Sequence, residues 1–349
     1  MSLAMMSRVW LGAGAGLLMA AASVWGQSAP QTFPLTDGSS LEAHGVKIEA
    51  VEYKGRKAVR ITKPADGDGA ALVRGTDFQD GVIEADLALK VTTPPGVRMP
   101  GFIGIAFRVK SEASPKADAS QYELFYIRPG NSKAEDQSMR NHSVQYCAAP
   151  DFGWYQLRKA WPEVYESYAE IEPEQWTHIR IEVAGRTSKL YLNGSTKPSL
   201  VVDGMKSPNL RGAVALWGFT DEEEYFSNLR ITPAPAIPVK NGSDVAGAWE
   251  VRFTSDYGAY DGVLKLTREG SAVAGTWTGA FGDALPVKGS WRDGYVELGF
   301  TGDWKKQAPD ETSGPAVTTM AGWIDGDSGK GRMRVLGRAD GQWAAKRKQ

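Results

Sequence analysis

From residue 46 to residue 231 the chain alternates in steps of two. In the run from Val82 to Leu89, Val82, Glu84, Asp86 and Ala88 share one face, and Ile83, Ala85, Leu87 and Leu89 share the other. His178 to Val183 repeats the pattern, polar on one side and apolar on the other. Strands are predicted at Val46–Tyr53, Lys57–Thr62, Ala71–Arg74, Gly81–Val91, Gly101–Val109, Gln121–Arg128, Ser143–Cys147, Trp176–Val183, Ser188–Leu192, Gly212–Trp217 and Tyr225–Ile231. Gly, Pro, Asn and Asp separate them, and no stretch keeps a helical apolar period for three turns. Short strands with turn punctuation predict an all-β fold, an antiparallel two-sheet sandwich over residues 27 to 231.

A Pro-rich linker follows at residues 232 to 243, where three prolines within seven residues stiffen the chain ahead of Asn241-Gly242-Ser243. Beyond it, tryptophan recurs about once per hairpin: Trp249, Trp277, Trp291, Trp304, Trp323 and Trp343. Turn signals at Asp261-Gly262, Glu269-Gly270, Asp293-Gly294, Asp325-Gly326 and Asp340-Gly341 divide residues 244 to 349 into about eight short strands, enough to close a small up-and-down barrel. Core packing is the expected role of the tryptophans. A barrel of this size also has room for one small apolar ligand, so a carrier role stands as an alternative.

The first 26 residues read as a secretory signal: an uncharged apolar run from Val9 to Val24 follows Arg8 and ends in Val24-Trp25-Gly26. The expected location is secreted or periplasmic, with no transmembrane segment. The single cysteine, Cys147, can form no internal disulfide and reads as a small buried hydrophobe. Charge is balanced in both halves: 24 Lys and Arg face 27 Asp and Glu over residues 31 to 233, and 14 face 14 over residues 243 to 349. Neither half has the basic excess that phosphate neutralisation requires, which argues against nucleic acid as a partner. The oligomeric state is not legible.

The order of short motifs carries a resemblance. Asp77 to Asp86, Gly104-Ile105-Ala106-Phe107-Arg108, Gln121-Tyr122-Glu123, Glu174-Gln175-Trp176, Leu190 to Gly194, Gly212 to Leu216 and Tyr225 to Ile231 follow one another as in the concanavalin A-like lectin/glucanase superfamily. Laminin-G-like modules and the 3-keto-disaccharide hydrolase domain are the most similar branches. The resemblance spans about residues 33 to 231 and implies a jelly roll whose concave sheet forms a carbohydrate groove. It is also compatible with a structural calcium, although loop Asp and Asn residues are scattered without EF-hand spacing, no zinc spacing appears, and no cofactor is expected. In the C-terminal region, Gly247-Ala248-Trp249 together with Arg347 resembles lipocalin/avidin-type, calycin-like barrels, in which an Arg covers the first-strand Trp.

Candidate chemistry centres on Arg140 to Tyr168, where flat aromatic faces stand beside planar hydrogen-bonding groups, the combination that holds a sugar ring. Asn141, Gln145, Trp154, Tyr155, Arg158 and Trp161 are the candidate ligand-binding residues there, joined by Arg128 and by Trp217, whose strand-face neighbours Ala213 and Ala215 leave room beside the indole. A family 16 glucanase mechanism is not supported: Glu84-Ala85-Asp86 begins the motif, but Ala88 and Leu89 stand where its last carboxylate belongs. The keto-disaccharide hydrolase resemblance implies a base, an acid and an oxyanion partner, roles that Glu123, His142 and Arg108 could fill. Two readings of Arg108 and Glu123 stay open, these roles or a cross-strand ion pair on a partly wet face. His142 is a proton carrier or a histidine bonded to backbone. The expected function is saccharide binding, with action on a glycoside as an extension and a non-catalytic lectin-like module as the alternative.

Overall fold

The computed structural model describes residues 29–63, 69–90, 99–110, 121–219, 222–237, 243–292, 294–305 and 313–348. The expected signal, Asp293 and the core of the linker at 238–242 lie outside them. Two antiparallel sheets form the N-terminal sandwich. One runs β13 (Leu200–Val202), β12 (Thr187–Leu192), β11 (Thr177–Ala184), β6 (Asp80–Lys90), β15 (Glu223–Ala234), β4 (Arg56–Thr62) and β3 (Lys47–Tyr53), with β1 (Gln31–Phe33) also pairing with β15. The other runs β10 (Glu166–Ser167), β9 (Val144–Ala149), β8 (Gln121–Ile127), β7 (Ile103–Lys110), β14 (Ala213–Gly218), β5 (Gly69–Val73) and β2 (Leu41–His44). Short helices α1 (Pro129–Ser132), α2 (Gln137–Arg140) and α3 (Trp154–Ala160) flank β9.

The alternation of β6 is realised as expected. Ile83, Ala85, Leu87 and Leu89 are buried, while Glu84 and Asp86 face the wetter side. The second sheet behaves differently: β7 is buried along nearly its whole length, and so are most of β8 and β9. Both of its faces are covered, which is why these strands read as near-continuous apolar runs. On the inner face Phe78, Phe107, Phe125 and Tyr146 touch ring to ring within the core.

All eleven predicted strands are present within a few residues of their expected ends. Thr232, Pro233 and Ala234, assigned to the linker, instead extend β15 against Asp80 to Val82. Pro233 faces Gly81, whose φ of 137° and missing Cβ permit the close approach: a Cβ there would lie 2.2 Å from the Thr232 carbonyl oxygen.

The C-terminal eight strands are β16 (Gly247–Ser255), β17 (Gly258–Glu269), β18 (Ala272–Gly279), β19 (Gly282–Arg292), β20 (Tyr295–Trp304), β21 (Gly314–Asp325), β22 (Ser328–Val335) and β23 (Ala339–Arg347). Each pairs with the next, and β23 returns to β16, closing an up-and-down barrel. Arg347 pairs with Trp249 across that seam and lays its guanidinium 4.2 Å from the indole, donating to the Ala246 and Asp244 carbonyls. Inside, Trp249, Phe253, Trp277, Phe281, Phe300 and Trp304 are buried against one another. The cavity left among Val245, Trp249, Leu298, Met320 and their neighbours is about 10 Å³, space for a water at most. The lumen considered for an apolar ligand is filled by side chains.

Barrel and sandwich meet through buried polar groups. Glu297 of β20 takes the Lys206 ammonium at 2.5 Å and the Tyr165 hydroxyl, while Arg292 donates to the Lys206 carbonyl and Arg186 to the Arg292 carbonyl. Gly204 lies so close to Tyr295 that a Cβ would fall 2.0 Å from the ring.

Candidate functional site

The three residues with candidate catalytic roles do not share a cleft. Strand phase puts Ile105 and Phe107 inward and Gly104 and Ala106 outward, so Arg108 should point outward. A β-bulge intervenes: the register shifts between Phe107 and Lys110, and Arg108 takes a φ of 55°. The side chain turns inside and is fully buried, donating to Asp80 at 2.9 Å, to Glu123 at 3.0 Å and to the Gly185 and Gln79 carbonyls. Glu123 also lies on the inner face and accepts from the Tyr146 hydroxyl and the Ser207 amide. Burial pushes its carboxyl above the usual range, against the opposing pull of Arg108, Ser207 and Tyr146. The pair is therefore a dry internal network and not a register pair on a wet face. Asp80 extends it to the Ile237 amide, tying down the start of the linker.

His142 stands elsewhere, in the turn after α2, with Nδ1 2.9 Å from Glu166 on the edge strand β10. Arg158 of α3 grips the same carboxylate through Nε and Nη2. Burial raises the Glu166 carboxyl, but hydrogen bonds from His142 and Arg158 and the Arg158 charge outweigh it and hold the group below its ordinary value.

The outer face of the second sheet brings most of the proposed binding residues together. Pairing registers place Trp217 beside Gly104, Gly104 beside Tyr126, Tyr126 beside Gln145, and Gln145 beside Glu166. This row crosses five strands on one face. Gly104 is the gap in it: a Cβ there would press to 2.6 Å from that of Tyr126, and its absence lets Tyr126 and Trp217 approach to 5.2 Å between ring centroids. Phe102 and Phe219 complete the group, 5.3 Å apart edge to face.

These rings, with Tyr122, Leu124, Cys147 to Pro150, Gly153 and Trp154, enclose a pocket of about 200 Å³. Trp154 stands at the start of α3, 44% exposed, with the Arg158 guanidinium 4.8 Å from its ring. The indole N–H of Trp217 is buried with no acceptor among the described residues, an unpaired donor in the wall. The Arg128 guanidinium lies 5.5 Å from the Phe102 ring and 4.8 Å from that of Tyr126 and donates to Tyr126, Gln145 and the His142 carbonyl.

Of the residues singled out from sequence, Trp154 and Trp217 line the pocket, and Arg128, Gln145, Arg158 and His142 surround it through the contacts above. Three do not join it as expected. Asn141 caps α2 and accepts from Gln137; Tyr155 is exposed against Trp154; Trp161 packs onto the sandwich core. Tyr122, Tyr126 and Cys147 were missed as pocket residues; the period of two from Tyr122 through Leu124 to Tyr126 was the signal that could have found the two tyrosines. Phe102 fell inside the predicted strand from Gly101, in phase with Gly104, and so was also open to detection, whereas Phe219 lies beyond the end of its strand, where phase gives no guide.

A larger hollow, about 980 Å³, lies on the barrel wall over Glu250, Arg252, Asp261, Trp323, Lys330 and Lys346. It is open, and Arg252 in it is paired with Asp261. The smaller aromatic pocket has the convergent groups. Among the described residues no group of three or more His, Cys, Asp or Glu is placed to hold a metal ion. No helix among them is long and apolar enough to cross a membrane.

No family model and no curated protein matches the chain. Among solved structures it is similar to carbohydrate-binding module CBM66 from Bacillus subtilis, at 16% identity over 55% of this chain and 98% of that one, with a TM-score of 0.35. It is also similar to a Bacillus subtilis protein of unknown function with a galectin-like fold, at 12% identity over 61% and 99%, TM-score 0.40. Lectin II from Ulex europaeus shares 8% identity over 59% and 99%, TM-score 0.40.

Proposed function

We propose that this protein binds a saccharide, with the aromatic pocket on the outer face of the second sheet as its site. One observation carries the reading: Tyr126, Trp217, Phe102, Phe219 and Trp154 converge on a single pocket whose border holds the planar polar groups of Gln145, Arg128 and Arg158. Ring faces suit the CH faces of a sugar, and the border groups suit its hydroxyls. At about 200 Å³ the pocket is below the usual range of about 300–1,000 Å³ for small-molecule sites, so it takes a single terminal sugar unit and leaves the rest of a chain outside. The apolar run from Val9 to Val24 supports export, and the packed barrel reads as a calycin-like accessory module docked beside the site.

Glycan-array screening followed by calorimetry on the full chain tests this. Trp154→Ala removes an exposed ring, so folding stability should change by less than about 1 kcal/mol, while affinity for any array hit should drop about tenfold. Unchanged affinity in that variant would move the site away from this pocket.

A further inference from the structure

The pocket's charge points to the kind of saccharide, an inference that rests on the reading above. Arg128 is 3% exposed, and all its acceptors are neutral: the His142 carbonyl at 2.8 Å, the Tyr126 hydroxyl at 2.5 Å, and the Gln145 amide oxygen at 3.4 Å from both terminal nitrogens. Among the described residues no carboxylate reaches it within ion-pair distance. Other buried cations here are treated differently. Arg108 has Asp80 and Glu123, and Lys206 has Glu297.

A buried charge without a counter-charge is costly, and neutral dipoles compensate it only in part. Glu166 lies across from Gln145, but its oxygens are held by Arg158 and His142. Arg158 is answered by Glu166, whereas Arg128 is not: the buried carboxylates of Glu222 and Glu224, beside Gly101 and Gly218, make no ion pair with it. The Arg128 guanidinium lies 4.8 Å from the Tyr126 ring and 5.5 Å from that of Phe102, both walls of the pocket, so its field crosses a space lined by apolar groups where screening is weak. The long contacts to Gln145 are the weakest of its bonds and the easiest for an anionic oxygen to replace.

We propose that the pocket is specific for acidic saccharides, the carboxylate of a uronic acid or a sulfate ester supplying the counter-charge that the chain withholds from Arg128. The same anionic oxygen chemistry serves both sources, and matched ligands separate them.

Calorimetry on the full chain would compare short glucuronide, galacturonide and mannuronide oligomers with their methyl esters, and sulfated oligosaccharides with their desulfated twins. At least one acidic member should bind about tenfold or more tightly than its neutral twin, and the preference should shrink as salt screens it. Arg128→Met, which keeps the stem against Phe102 and Tyr126, should bring acidic and neutral twins within about threefold, while Arg128→Lys should retain a preference. Because the wild-type comparison needs no variant, a misfolded Arg128→Met would not rescue the idea. Neutral twins binding as tightly as acidic ones would overturn this inference and leave saccharide binding intact. Failure of every saccharide to bind would overturn both.

Discussion

Replacing Glu123 by Gln tests whether the buried Arg108–Glu123 pair serves stability or the site. In the native chain Oε1 accepts from Tyr146 and Ser207, and Oε2 accepts from Arg108. Glutamine keeps one oxygen for the first two donors and turns an NH2 group toward the guanidinium, so one charged bond is lost and two donors face each other. Removing one member of a buried ion pair costs about 3–5 kcal/mol when the other charge is stranded. Arg108 keeps Asp80 and two carbonyls, which lowers the expected loss to about 2–3 kcal/mol. For a domain of this size each kcal/mol moves Tm by about 2–4 °C, so differential scanning calorimetry should show the sandwich transition falling by roughly 5–10 °C. Glu123→Leu, which also strands Tyr146 and Ser207, should fall further, by about 2 kcal/mol more. Glu123 points inward while its neighbour Leu124 lines the pocket, so saccharide affinity below the transition should stay within about twofold of wild type. A Tm within about 2 °C of wild type, or lost binding at unchanged Tm, would refute the placement of this pair as a structural one.

The contact between sandwich and barrel gives a second test. Glu297→Gln leaves the buried Lys206 ammonium without its counter-charge, and a loss of about 3–5 kcal/mol at the interface should split one calorimetric transition into two; a single unshifted transition would mean that the interface does not couple the domains. On the outer face of the first sheet, the hydrogen bond to Asp86 holds the His178 imidazolium above its ordinary pKa of 6.5, burial opposing it. A raised folded-state pKa means that this pair's contribution is complete below about pH 6.5 and is lost as pH rises through the folded value. His178 is 41% exposed, so solvent screening keeps the effect under about 1 kcal/mol. A Tm–pH curve for His178→Asn should therefore converge with that of wild type toward pH 8 and separate from it near pH 5.5, and parallel curves would count against the pairing.

Alternation along single segments was enough to locate the strands of the sandwich, because which face a side chain takes in a strand is set by its own backbone period. The same period placed Trp217 with Ala213 and Ala215 before any partner strand was known. Composition and turn signals likewise indicated about eight strands in the barrel, whose strands pair with their neighbours in sequence, but Asp261-Gly262 and Asp340-Gly341, read as turns, lie within β17 and β23. β1, β2, β10 and β13 escaped detection because they have two to four residues, too few for a period of two to show.

Tertiary structure decided the rest. The bulge at Arg108 reversed the direction that phase assigned to it and turned a catalytic candidate into part of a buried clamp, a change no local pattern encodes. The stretch from Arg140 to Tyr168 looked uniformly suited to a ligand, yet folding divided it: Trp154 went to the pocket, Trp161 to the core and Glu166 to a carboxylate clamp. The row from Trp217 through Gly104, Tyr126 and Gln145 to Glu166 draws on residues more than a hundred positions apart. Its members meet only because five strands pair in register, and register depends on the whole sheet. Residue types made a sugar site conceivable from the sequence; the pairing of strands decided which residues meet around the aromatic pocket and left Arg128 beside it without a counter-charge.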